Sequence, residues 1–263
     1  MRDKRLSVMF VAALLVAGGC VSAPAPQFSR SAPSEEVRAS LGRIGIRSGP
    51  ASPSGEWNMP AKGAAEGAKR GATLGAASTL GGSGQAAILA PLGALVGSIA
   101  GAAKAEPAEV VEEAEAAIKS AFADVRIPDT LRDRVVRVAR TETRYTVVLQ
   151  EDFARADAAA ERPEEPAEVL DTSLQISVQR YGTKAARTPN PPVHLFFDAD
   201  VSLLRVADGS VLCSRRLTWV SPGRPITAWG VAKGQPVRQE LERGIQDLAE
   251  RIVDVIFLLR PFP

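Results

Sequence analysis

The chain predicts an α/β (α+β) fold: a mixed sheet of about five strands, two helices and a long C-terminal helix laid on it, and an inserted Gly/Ala-rich helical hairpin. Three observations carry this. Segments at 41–47, 145–150, 170–181, 193–206 and 210–220 are short and β-rich, most of them alternating apolar and polar side chains. Segments at 106–125, 129–142 and 237–259 gather their apolar residues on one helical face. Two further runs place glycine at every fourth residue, a spacing that stacks them on one face of a helix.

Taken from the N-terminus, MRDKR is a basic stretch, LSVMFVAALLV an apolar run of eleven residues, and AGGC closes it at Cys20. This is the layout of a secretory signal peptide, and the apolar run is too short for a transmembrane helix, which needs about 20 apolar residues. Small residues directly before a cysteine resemble the lipobox of bacterial lipoproteins, with Ala17 where that pattern usually has Leu or Val. The resemblance implies that residues 1–19 are removed and that Cys20 carries a thioether-linked diacylglycerol and a further acyl chain such as palmitate. Several chains are what stable anchoring requires, each buried CH₂ contributing about 0.8 kcal/mol. Val21 and Ser22 follow rather than Asp, which by resemblance to Gram-negative sorting rules implies the outer membrane, facing the periplasm. Residues 20–36, rich in Pro, Ser and Ala, predict a flexible tether, and 37–263 the periplasmic domain.

Residues 41–47 alternate and end at Ser-Gly-Pro, which predicts a first strand. The glycine runs follow. Gly63, Gly67, Gly71 and Gly75 lie on one face, Gly93, Gly97 and Gly101 on another, with GGSG at 81–84 as the turn. Glycine weakens a helix by about 1 kcal/mol relative to alanine, so seven in register ask for a reason. Two side-chain-free grooves can meet backbone to backbone, and residues 61–104 resemble the glycine-zipper segments of bacterial envelope lipoproteins. The second arm, 86–103, has no charge and is a candidate for spanning or touching a membrane; the first carries Lys62, Glu66, Lys69 and Arg70 near its start. Pairing of copies and a plain Gly/Ala linker are the competing readings.

Beyond the hairpin, Pro107 and an acidic first turn open a helix at 106–125 with Val111, Ala114, Ile118 and Phe122 on one face. After Ile-Pro-Asp a second helix runs to 142, and YTVVLQ is a strand. Residues 152–168 predict a short helix or loop. Leu174, Ile176 and Val178 point one way along the next strand. Leu195, Phe197, Val201 and Leu203 do so along the one after it, and Val211, Cys213, Leu217 and Trp219 along the last, across an Ala-Asp-Gly turn. Leu241, Ile245, Leu248, Ile252, Val255 and Leu259 form the seam of the final helix. The hairpin VADGSVLCSRRLTWV and the helix LERGIQDLAERIVDVIF resemble the periplasmic domain shared by the curli-secretion lipoproteins, the Tol–Pal translocation protein N-terminal domain and the auxiliary lipoproteins of ABC transport. The resemblance covers about 170–258 and implies an envelope assembly, secretion or transport role, with self-association or an envelope protein as partner.

Composition narrows the chemistry. Net charge is +2, aromatics are 5% and basic residues are scattered, so no nucleic-acid surface is predicted. One histidine, His194, excludes most histidine catalysis and multi-histidine metal sites, and no cofactor is expected. Cys20 and Cys213 sit in unrelated contexts, so no disulfide framework follows. Asp198 and Asp200 share a strand face and could act as a hydrolase pair, but alternation places them on a solvated face. Cys213 reads as an inert core thiol, and Trp229 as a core residue or an exposed contact. The expectation is a lipid-anchored, non-enzymatic envelope protein; a secretion pore and a hydrolase are the alternatives.

Overall fold

A computed structural model describes residues 33–50, 52–80, 86–150, 169–188 and 190–258. Cys20, the signal segment, most of the tether, the GGSG turn and the 152–168 segment lie outside them. Among the described residues there are six α-helices and a mixed sheet. In chain order they are α1 (Glu35–Ala39), β1 (Arg43–Ser48), β2 (Ser54–Trp57), α2 (Gly63–Leu80), α3 (Ala86–Lys104), α4 (Ala108–Val125) and α5 (Ile127–Glu142). Then come β3 (Thr146–Leu149), β4 (Thr172–Ala185), β5 (Val193–Arg205), β6 (Val211–Val220) and α6 (Ile226–Val253), with a π-turn at Asp254–Leu258.

The sheet runs β3-β1-β4-β5-β6, with β2 also pairing β4. β1 is parallel to β3 and β4, and β4, β5 and β6 are antiparallel. One face carries Ile44, Ile46, Leu174, Ile176, Leu195, Phe197 and Val201, and α4, α5 and α6 cover it. The other is polar, with Ser177, Arg180, Asp200 and Arg216 along it. This is the amphipathic pattern the sequence predicts for a sheet packed on one side.

Two bulges reset that alternation. A register shift between Val178 and Arg180 in β4 sends Arg180 to the polar face and returns Tyr181 to the core side, where it stacks on Phe122 at 5.5 Å. The second leaves Leu212 of β6 unpaired opposite Leu203 and Leu204, and it corrects the reading of Val211. Leu204 pairs with Val211 while Leu203 pairs with Cys213, so Val211 turns outward and is exposed.

Three boundaries also move. The end of the expected tether is α1, capped by the Ser34 hydroxyl accepting from the Val37 N–H at 3.2 Å. A single left-handed residue, Arg126, separates α4 from α5, so Ile127 and Pro128 open α5 rather than forming a linker. The last helix starts at Ile226, ahead of the expected 237. It breaks at Val231–Gly234, where Ala232, Lys233 and Gly234 take positive φ, and resumes with Pro236 in its first turn. Trp229 thereby enters the core on the first helical piece, its Nε1–H donating to the Val193 carbonyl at 2.8 Å.

Candidate functional site

The glycine segment is a helical hairpin, α2 against α3, inserted between β2 and α4 rather than directly after the first strand. Its ends are clamped together: Gly63, at φ 75°, donates its N–H to the Glu106 carbonyl at 3.0 Å. Lys62 bridges to Glu115 on α4 at 2.8 Å, and Glu115 also holds Lys119 at 2.6 Å. Burial opposes ionisation of Glu115, yet hydrogen bonds from the two lysines hold its carboxyl below the ordinary glutamate range. Glu66 is held below that range too, chiefly by the Lys62 backbone N–H at 2.8 Å and then by Arg70 at 2.6 Å. The hydrogen bond to Glu115 raises the Lys62 ammonium above its usual value. Arg70 donates onward to the Met59 carbonyl at 3.0 Å, tying α2 to the end of β2. Trp57, Phe122 and Tyr181 pack edge-on and stacked beneath this clamp.

Above the clamp the helices meet backbone to backbone. A methyl group placed on Gly71 would lie 2.0 Å from the Gly97 carbonyl oxygen, and one on Gly97 2.2 Å from that of Gly71. Gly101 faces the Gly67 carbonyl at 2.1 Å, and Gly67 faces Gly101 and Ala105 at 2.5 Å. The Gly75 Cα would lie 3.1 Å from a methyl group on Gly97. Gly63 belongs to the clamp instead, facing Ala108, and Gly93 lies within α3 at a level where side-chain packing is outside the described residues. The outward surface is apolar: Leu95, Val96 and Ile99 are 58%, 67% and 64% exposed, and Leu74 on α2 42%. Among the described residues, no helix is long and apolar enough to cross a membrane.

Where α2 passes the end of β4, a cavity of about 430 Å³ opens. Met59, Leu74, Ala77 and Ala185 supply apolar walls, and Arg70 and Arg187 supply cations. The sequence shows nothing of this cavity, because its walls come from segments more than a hundred residues apart.

The other candidates disperse. Asp200 takes a two-pronged ion pair from Arg216, at 2.7 and 2.9 Å. Asp198, expected in solvent, is 2% exposed: Arg180 holds one oxygen at 2.5 Å, and the other has no hydrogen-bond partner. Each aspartate of the pair thus has its own arginine. His194 is half-buried, its Nδ1 2.9 Å from the Ser221 carbonyl. Cys213 is buried in the core, and burial pushes its thiol up, away from the reactive thiolate. Glu240, which the helix periodicity does not single out, is 3% exposed and held by Arg243 at 2.7 Å and Arg224 at 3.3 Å.

No protein-family profile matches this chain, and no curated protein does. Among solved structures it is similar to a Xanthomonas campestris protein of the DUF330 family, at 21% identity and a TM-score of 0.31, over 48% of this chain and 58% of that one. It is also similar to the PelC dodecamer of Paraburkholderia phytofirmans, at 15% identity and 0.30, over 49% and 76%. A third similarity is to lipoprotein GNA1162 of Neisseria meningitidis, at 23% identity and 0.22, over 33% and 65%.

Proposed function

We propose that this is a lipid-anchored protein of the bacterial envelope with a structural or assembly role and no catalysis of its own. It is held by acyl chains on Cys20 to the outer membrane and faces the periplasm. The observation that carries this is the N-terminal order of basic stretch, eleven-residue apolar run and Ala-Gly-Gly-Cys, followed by a Pro/Ser/Ala-rich stretch that leads to a folded domain. The domain supports it from the other side. The one acidic pair that sequence offers for hydrolysis is engaged by Arg180 and Arg216, and the one internal cysteine is buried. What the fold presents outward is a hairpin with an uncovered apolar face, which suits contact rather than turnover. Partners are a membrane through Cys20 and an envelope protein or a second copy through the domain.

Growth with a clickable palmitate analogue tests the anchor. The wild-type protein takes the label and sediments with outer-membrane vesicles, whereas C20A does neither. Label retained in C20A, or an unlabelled wild-type protein in the soluble periplasmic fraction, overturns it.

A further inference from the structure

We propose that the slot between the open end of β4 and helix α2 is a peptide-docking site. An extended segment of an envelope protein adds there as a strand, with an apolar side chain against α2 and a carboxylate at Arg187. This names the partner chemistry for the contact role of the previous section and rests on that reading.

The first observation is a strand edge left open. β2 pairs with β4 from Ser54↔Arg180 to Trp57↔Thr183, and one more rung follows, the Asn58 N–H donating to the Thr183 carbonyl at 3.2 Å. Pro60 then has no N–H to give, and the chain leaves the sheet for α2. β4 does not stop there. It continues to Ala185, held from its other side by β5 through Lys184↔His194 and Ala185↔Val193. Alternate residues of a strand turn their N–H and C=O to opposite edges, so Thr183 is followed on the same edge by Ala185. No backbone hydrogen bond from β2 reaches Ala185. An open edge of this kind is a template for another chain.

The second observation is what stands opposite. α2 passes this edge and turns it into the cavity of about 430 Å³, lined on the strand side by Ala185 and Arg187. That volume lies in the range of ligand sites, roughly 300–1,000 Å³. Met59, Leu74 and Ala77 are its apolar wall; Met59 and Ala185 join it to the core, and Leu74 still meets water at 42% exposure. Arg70 has a structural part here. Its guanidinium is taken up by the Met59 carbonyl at 3.0 Å and by Glu66 at 2.6 Å, which fixes α2 at a set distance from the strand edge.

The third observation is charge. Among the described residues no carboxylate lines the slot, and Arg187, exposed at its end, has no ion-pair or hydrogen-bond partner. Main-chain groups for the Ala185 rung, an apolar side chain for the wall and a carboxylate for the guanidinium define the complementary segment.

The experiment uses the full chain with Cys20→Ser, exported behind a cleavable non-lipid signal. Random heptapeptides with a free carboxyl end, displayed on phage, are selected on it, and the winning sequence is made as a fluorescent peptide. Winners are expected to carry an apolar residue and a carboxylate, from Asp, Glu or the terminus. Leu74→Lys, at an exposed helix position, should weaken binding at least about tenfold. Methylation of the central peptide nitrogens should do the same, and the Ala185 amide should exchange more slowly in the complex. Arg187→Glu should weaken binding roughly fivefold, and selection on that variant should trade the peptide carboxylate for Lys or Arg. Unchanged near-ultraviolet dichroism from the buried tryptophans certifies the fold of each variant. No enrichment over a blank surface overturns the site. Equal binding of the methylated peptide, with Ala185 exchange unchanged, overturns strand addition. Winners that lose affinity in Leu95→Glu and not in Leu74→Lys sit on the outer face of α3 and overturn the slot. Self-association of the unlipidated chain that Leu74→Lys abolishes overturns the peptide in favour of a second copy. The same winners on Arg187→Glu overturn the carboxylate contact. The palmitate label on Cys20 is read separately, so a labelled protein whose slot takes no peptide fails here and leaves the anchor standing.

Discussion

The α2–α3 hairpin and the sheet-and-helix core are both close-packed, but by opposite means. The core fills its space with large side chains: Trp229, Phe197, Leu241 and Ile245 are fully buried, and Trp219 stacks on Phe197 at 5.0 Å. The hairpin removes side chains until carbonyls of one helix touch the Cα atoms of the other. Burial of apolar area, at about 25 cal/mol per Å², stabilises the first strongly and the second little. The core therefore hides its large apolar side chains from water, whereas the hairpin leaves Leu74, Leu95, Val96 and Ile99 outside. A segment built that way depends on its clamp and on whatever covers its outer face.

The largest effect expected from this contrast is in the core. Trp229→Ala removes a fully buried indole and one of the two hydrogen bonds to the Val193 carbonyl, which the Arg224 N–H still serves, and should lower global stability by about 3–5 kcal/mol. Urea unfolding followed by dichroism measures it; a loss below 1 kcal/mol would mean that the first piece of α6 does not belong to the cooperative core. Gly71→Leu is the counterpart. Its side chain cannot fit 2.0 Å from the Gly97 carbonyl, so the helices must part, at a local cost of about 1–3 kcal/mol. The expected result is faster proteolysis within 63–104 and increased amide exchange there, with the urea midpoint of the domain unchanged. A shift of that midpoint by the same variant would show that the two regions unfold together.

Much of the core was legible in the sequence because it rests on periodicity. Ile44 and Ile46, Leu174 to Val178, Leu195 to Leu203 and the seam from Leu241 to Ile252 all lie where their alternation or heptad spacing places them. What escaped depends on contacts between distant segments or on single backbone angles. β2 is Ser-Gly-Glu-Trp, mostly exposed, and is a strand only because Ser54 and Trp57 pair with Arg180 and Thr183. Val211 and Tyr181 take their faces from bulges, and no residue type announces them. Ala232 and Lys233 sit at positive φ in a break that side-chain preference disfavours. Of the candidate site, the glycine spacing was visible in full. The Lys62–Glu115 clamp and the Arg70–Arg187 cavity were not, since they join α2 to α4 and to β4.

A smaller effect should separate the two regions by pH. Glu66 and Glu115 titrate below their ordinary value in the folded protein, so the stability they contribute is fully present above the unfolded carboxylate pKa, about 4.3. It is lost as pH falls through their depressed folded values. Lys62 is raised, so its share is present below its unfolded pKa and is lost only as pH rises through the higher folded one, in strong alkali. The clamp is thus complete across neutral pH and opens in acid. Amide exchange at pH 3 should show α2 and α3 losing protection while α4 and α6 keep theirs. Glu115→Gln should bring part of that loss to pH 7.

The smallest effect belongs to the polar face of the sheet, where neither mode of packing operates. Asp200 and Arg216 form a two-pronged pair, but the arginine is half exposed, and an exposed pair of this kind contributes about 0–1 kcal/mol. Asp200→Asn should therefore leave the urea midpoint nearly unchanged. Asp198 is different. It is 2% exposed with one oxygen unpartnered, and its arginine retains Glu56 as a second partner at 3.2 Å. Asn at that position keeps the shape and removes a buried charge, so its effect should also be small and could be stabilising. The double Asp→Asn variant then separates structure from chemistry. With both carboxylates neutral and the fold intact, a protein that works through contact keeps its envelope phenotype. A hydrolase that used the pair would lose its function outright, because neither amide can donate the proton or attack the substrate.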